Sequence, residues 1–141
     1  MKNYLIAASL GLALFFSPLH AEQKKVLGPW DVHYIAFDST MLDVKIAQSY
    51  KLRRSRTEAV LNISVLNSAD QKAQQVRISG TATDLTQKQT ELNFREVKEG
   101  DAVYYLAQFP VHDQKNLNFK LDIWQGTENQ KLEFSQVFYT E

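Results

Sequence analysis

Apolar and polar residues alternate along most of this chain, the period a half-buried strand requires because successive side chains point to opposite faces. Leu117, Phe119, Leu121 and Ile123 interleave with Asn118, Lys120, Asp122 and Trp124. Val103, Tyr105, Ala107 and Phe109 repeat the pattern, as do Leu132, Phe134 and Phe138, and Leu92 with Phe94. The runs from Trp30 to Phe37 and from Ala59 to Leu66 are apolar on both phases, which predicts central strands covered on two sides. Turn-forming clusters separate the runs: Asn67 to Asp70, Asp84 to Gln87, Glu99-Gly100-Asp101, His112 to Asn116 and Gly126 to Asn129. The pattern therefore predicts about seven strands, near residues 30–37, 58–67, 74–83, 90–98, 102–109, 117–125 and 131–139, with Gly80 as a candidate bulge.

One stretch departs from that period. Leu42, Ile46 and Tyr50 recur at every fourth residue with Ala47 beside them, which predicts a short amphipathic helix between the first two strands. Thr40 or Asp43 is placed to cap its start, and the helix is expected over an open end of the sheet. Short strands joined by short turns predict an all-β fold, an immunoglobulin-like antiparallel β-sandwich. The alternative is a small β-barrel, which closes around a ligand with about eight strands.

The first residues follow a different logic. Lys2, the apolar run from Leu5 to Phe16 and then Ser17-Pro18-Leu19-His20-Ala21 form the three parts of a secretory signal peptide. Residues 1–21 are read as that peptide, cleaved after Ala21, because the apolar run falls short of the roughly 20 residues that span a bilayer. The expectation is one β-sandwich domain over residues 22–141, periplasmic, with no transmembrane segment after cleavage.

Composition narrows the chemistry. The 141 residues carry 16 basic and 16 acidic side chains, so the strong positive field of a nucleic-acid binder is missing and no nucleic acid is expected as a partner. The chain has no cysteine, which excludes disulfides, thiolate nucleophiles and Cys-ligated metals. An exported domain of this kind must be held by packing alone. Beyond residue 21 the one methionine is Met41, too few for the Met and His clusters that hold copper, and the glycines are too scattered for a phosphate loop. No catalytic, cofactor-binding or metal-binding residues are predicted, and no cofactor.

Three features remain as candidates. Lys51, Arg53, Arg54 and Arg56 place four positive charges within six residues, a patch suited to an anion, an acidic partner or lipid phosphates; as a solvated loop its charges would meet acidic residues such as Glu96 or Glu99 instead. His33 shares its strand phase with Asp31, Ile35 and Phe37 and is either a ligand or base, or a sheet histidine bonded to a neighbour. Trp124, like Tyr104 and Tyr139, lies on the phase opposite the apolar stripes, toward solvent or a partner or packed under loops.

Several segments together resemble a known family. His33-Tyr34 leading to Ala36-Phe37, Leu61 to Val65, Ser79 to Leu85, Phe94 to Val97 running into Tyr104 to Pro110, and the closing Phe134-Ser135-Gln136 are similar to domain of unknown function 4426. That resemblance implies exported, all-β, periplasmic proteins of Gram-negative bacteria and brings no activity, cofactor or site residue with it. The resulting expectation is a non-enzymatic periplasmic binding or accessory module that engages a protein or envelope component. Its rivals are a small-ligand carrier or enzyme with a dispersed pocket, and a structural envelope protein.

Overall fold

The computed structural model of the protein describes residues 22–112 and 115–139; the signal peptide expected over residues 1–21 lies outside them. The described residues form nine strands and one short α-helix: β1 (Gln23–Leu27), β2 (Trp30–Asp38), α1 (Val44–Ser49), β3 (Glu58–Asn67), β4 (Arg77–Thr83), β5 (Gln89–Leu92), β6 (Arg95–Glu99), β7 (Ala102–Pro110), β8 (Lys115–Gln125) and β9 (Glu128–Phe138). A five-stranded sheet has the order β1-β2-β3-β7-β6 and a four-stranded sheet the order β5-β4-β8-β9, with antiparallel pairing throughout. Leaving β1 aside, these are the A-B-E-D and C′-C-F-G sheets of the immunoglobulin sandwich. Two separate sheets exclude the barrel alternative.

The sequence expectation of seven strands is corrected in two places. β1 was hidden because four of its five residues are exposed, so its hydropathy carries no period and backbone pairing with β2 alone defines it. The stretch read as one strand over 90–98 is two: β5 pairs with β4, and after Asn93 and Phe94 the chain moves to the other sheet, where β6 pairs with β7. Gly80 is not a bulge, for it pairs regularly with both Leu92 and Leu121. A Cβ there would stand 2.6 Å from the Lys120 carbonyl oxygen, so close approach of β8 demands glycine.

Alternate side chains of both sheets meet in the core. Trp30, Val32, Leu61, Ile63, Ala107, Phe109, Phe119, Leu121, Ile123 and Leu132 are buried there. Phe119 stacks on Phe134 at 4.7 Å between centroids and meets the edge of Phe109 at 5.4 Å, packing that substitutes for the absent cross-links. The connection from β3 to β4 crosses between sheets and is pinned by two polar anchors. Asp31 accepts from Ser68 Oγ and Gln71 Nε2, which hold its carboxyl below the ordinary range. Tyr105 Oη accepts the Val76 N–H and donates to Glu96; burial above all pushes its pKa up to about 12.

The helix forms where the four-residue spacing predicts it, with Asp43 as its cap: Oδ1 accepts the Lys45 N–H at 2.9 Å. Its position differs from the expectation. α1 lies on the outer face of the five-stranded sheet rather than over an open end, burying Ala47 and Leu42 against Ile35, Phe37, Val60 and Leu106. That second apolar cluster explains why β2 and β3 are apolar on both phases.

Candidate functional site

The loop from Tyr50 to Thr57 joins α1 to β3, and its hydrogen bonds divide the four basic residues into two pairs. Arg53 forks onto Glu58, Nε to Oε2 at 3.0 Å and Nη2 to Oε1 at 2.5 Å, while its backbone exchanges two bonds with the Gln108 amide at 3.1 and 2.6 Å. Arg54 donates to the carbonyls of Leu42 (2.8 Å) and Thr40 (3.0 Å), tying the loop to the segment before α1. Ser39, fully buried, donates to the Ser55 carbonyl and accepts the Ser55 N–H, both at 2.8 Å. Two of the four cations are therefore structural.

Lys51 and Arg56 are the other pair. Both are exposed and their charged ends have no partner among the described residues. Lys51 sits at φ 57°, a left-handed backbone conformation that ends the helix. Of the acidic residues a solvated loop would meet, Glu58 does pair with Arg53, while Glu96 and Glu99 are engaged elsewhere: Glu96 accepts from Tyr105 and Gln75, and Glu99 accepts the Tyr50 hydroxyl. The cluster is thus a fixed loop presenting two free cations rather than a run of four.

His33 lies apart from that loop on the uncovered part of the same sheet face. Its Nδ1 is 2.8 Å from Glu22 Oε1; a carboxylate only accepts, so Nδ1 donates in that bond. A carboxylate-oriented imidazole is half of a general-base arrangement. Ser64 stands opposite His33 in the β2–β3 register, yet Nε2 is buried and bonded to nothing, closed to any proton a substrate would bring. No group of three or more His, Asp or Glu among the described residues is arranged to hold a metal ion.

Of the aromatic candidates, Trp124 is half-buried beneath Arg77, whose Cζ is 5.6 Å from the ring centroid, an intramolecular cation–π contact on the face of the four-stranded sheet. Tyr104 is buried at the edge of the cleft under α1, because the helix covers that phase of β7. Tyr139 remains exposed. Asn62, inside the apolar strand β3, has a buried Oδ1 with no hydrogen-bond partner among the described residues.

The interior leaves little room. The cleft between α1 and the sheet encloses about 10 Å³, and a second hollow beside Asp84, His112 and Lys115 about 30 Å³. Each is on the scale of one water molecule. No helix among the described residues is long and apolar enough to cross a membrane.

The comparisons with known proteins agree on the fold. A DUF4426 family protein from Pseudomonas aeruginosa PAO1 is 32% identical, with a TM-score of 0.75 over 85% of this chain and 96% of that one. FetP from uropathogenic Escherichia coli strain F11 is 11% identical with a TM-score of 0.61, covering 86% of this chain and 96% of that one. A copper-bound FetP variant matches at the same identity and score, over 92% of its own length. At that identity the likeness to FetP is one of fold. No curated protein matches. The family model for the domain of unknown function DUF4426 matches residues 24–141, and this chain belongs to that family.

Proposed function

We propose that the protein is a non-enzymatic binding module of the periplasm, and that it engages an acidic partner surface through Lys51 and Arg56. One observation carries the reading: the loop bearing these cations is locked by its own neighbours, Arg53 on Glu58 and Gln108, Arg54 on two carbonyls, and Ser55 on Ser39, while the two cations stay free. A loop ordered in advance loses little entropy on binding, which is how a surface contact without a pocket gains affinity. The partner is taken to be a protein or another envelope component with clustered carboxylates or phosphates.

The copper seen in the FetP variant does not enter this reading. Copper favours soft ligands, and Met41 packs against the apolar cluster beneath α1. The periplasmic address rests on the signal peptide read over residues 1–21 and on the family resemblance.

The test is charge reversal. Lys51→Glu with Arg56→Glu is expected to leave the melting temperature unchanged and to abolish capture of the partner from envelope extracts, with recovery when the partner's acidic residues are reversed in turn. Capture that survives the double reversal refutes the assignment.

A further inference from the structure

The five-stranded sheet ends on two strands that each pair on one side only, β1 with β2 and β6 with β7, and their charges differ in kind. β1 carries Lys24 and Lys25 and no acidic residue, the lysine guard that discourages an open edge from taking another strand. Lys25 extends that guard to the neighbouring sheet by donating to the Glu133 carbonyl at the β9 edge. β6 lacks such a guard. Its five residues, Arg95, Glu96, Val97, Lys98 and Glu99, arrange opposite charges about a central valine, and four of the five are exposed.

The backbone of β6 fixes what its open edge offers. Glu99 and Ala102 flank the two-residue turn at Gly100 and Asp101 and form a hydrogen-bonded pair, so Val97 with Tyr104 and Arg95 with Leu106 are hydrogen-bonded pairs too. The N–H and C=O groups of Glu96 and Lys98 therefore point away from β7. A second strand can take them, and a second copy of β6 has the matching sequence. Antiparallel pairing about Val97 sets Arg95 against Glu99 of the second copy and Glu96 against Lys98, opposite charges at every charged position. Pairing about Glu96 would set Glu96 against itself, and pairing about Lys98 would set Lys98 against itself, both destabilising.

The side chains suit the same register. Arg95 has no ion-pair partner among the described residues, and Lys98 reaches Glu96 at 3.9 Å, a loose pair. Val97 is half-buried and packs against the apolar cluster under α1, so placing two copies of it on the axis joins the two clusters. We propose that the chain forms a weak homodimer through β6, in which Glu96 and Lys98 exchange backbone bonds with the second copy and the two five-stranded sheets become one. The twofold axis at Val97 closes the assembly, and the lysines of β1 keep the joined sheet from growing further. The pairing uses neither Lys51 nor Arg56, so either assignment can fail without the other.

Sedimentation equilibrium of the purified protein over a dilution series should show reversible monomer–dimer exchange that weakens with added salt. Arg95→Glu and Glu99→Arg each create like-charged pairs and should each weaken self-association at least about tenfold. Mixed together, the two variants restore opposite charges at both positions and should form a heterodimer. Lys98→Pro removes an N–H that faces away from β7, so it should fold and stay monomeric. The register is read by cysteine, of which the chain has none. Val97→Cys places two thiols on non-hydrogen-bonded positions with Cα atoms about 4.5 Å apart, within disulfide reach, and should crosslink on mild oxidation, whereas Arg95→Cys, opposite Glu99, should not. A monomer at every concentration, a dimer undiminished by Arg95→Glu, a mixture of the two charge variants that stays monomeric, or crosslinking of Arg95→Cys as readily as Val97→Cys would each overturn the proposal.

Discussion

The two sheets turn very different outer faces to their surroundings. On the four-stranded sheet the outward rows are mostly polar: Lys131 pairs with Asp122 at 2.5 Å, Ser135 bonds Asn118, Lys120 stands opposite Glu133, and Arg77 covers Trp124. On the five-stranded sheet, α1 and the loop after it cover an apolar cluster, and the face includes the buried His33 Nε2 and Asn62 Oδ1, which have no hydrogen-bond partner among the described residues. A sandwich needs one core, and the space between the sheets supplies it. The second cluster and the locked loop are additions to that minimum, and the proposed contact falls on the covered face.

The sharpest way to break this comparison is to remove an apolar contact from the covered face. Leu42→Ala is expected to cost about 2–4 kcal/mol in urea unfolding, because Leu42 is buried between α1 and the sheet. A loss below 1 kcal/mol would mean that the cluster is peripheral to stability. Next in size is Arg54→Ala, which deletes two bonds to backbone carbonyls and should cost about 1–2 kcal/mol. In the same variant, hydrogen exchange should accelerate in the loop and leave β8 unaffected, the signature of local rather than global opening.

The four-stranded sheet has one locked point, the turn after β4. Asp84 Oδ1 accepts from the Thr86 N–H and hydroxyl and from the Lys88 N–H, and Oδ2 meets Lys115 at 3.0 Å. These partners, Thr86 foremost, hold its carboxyl far below the ordinary 3.8. A depressed folded-state pKa contributes stability that is complete above the unfolded value and is lost as pH falls below it. Asp84→Asn should therefore be less stable than the parent at pH 7, with the gap closing as pH drops below 3.8. A gap that stays constant with pH would show that the ion pair contributes nothing. Smallest of all is Lys131→Ala on the bare face, expected within about 0.5 kcal/mol of the parent because its pair with Asp122 is exposed.

What was legible in the sequence follows the same division. β8 and β9 alternate cleanly because one of their faces meets the core and the other meets water. The helix was legible because Leu42, Ile46 and Tyr50 align on one side, but the face it covers was not, since that depends on how a distant strand presents Leu106. β1 has no apolar face to read. The break at Asn93 was masked because Leu92 and Phe94 both point toward the core while the chain passes from one sheet to the other. The charge of the basic loop was visible at once, its division into structural and free pairs was not. Arg53 finds Gln108 across 55 positions of sequence, and only the β3–β7 register brings them together.

The central claim, that the loop after α1 is the contact surface, is tested most directly by photo-crosslinking in living cells. A photoreactive amino acid replaces Gln48 or Thr57, which flank the two cations, or Lys120 on the bare face as the control. The account predicts a discrete crosslinked species from Gln48 and Thr57, none from Lys120, and its loss when Lys51 and Arg56 are both changed to Glu. Equal crosslinking from Lys120, or a species that persists after the charge reversal, would contradict it.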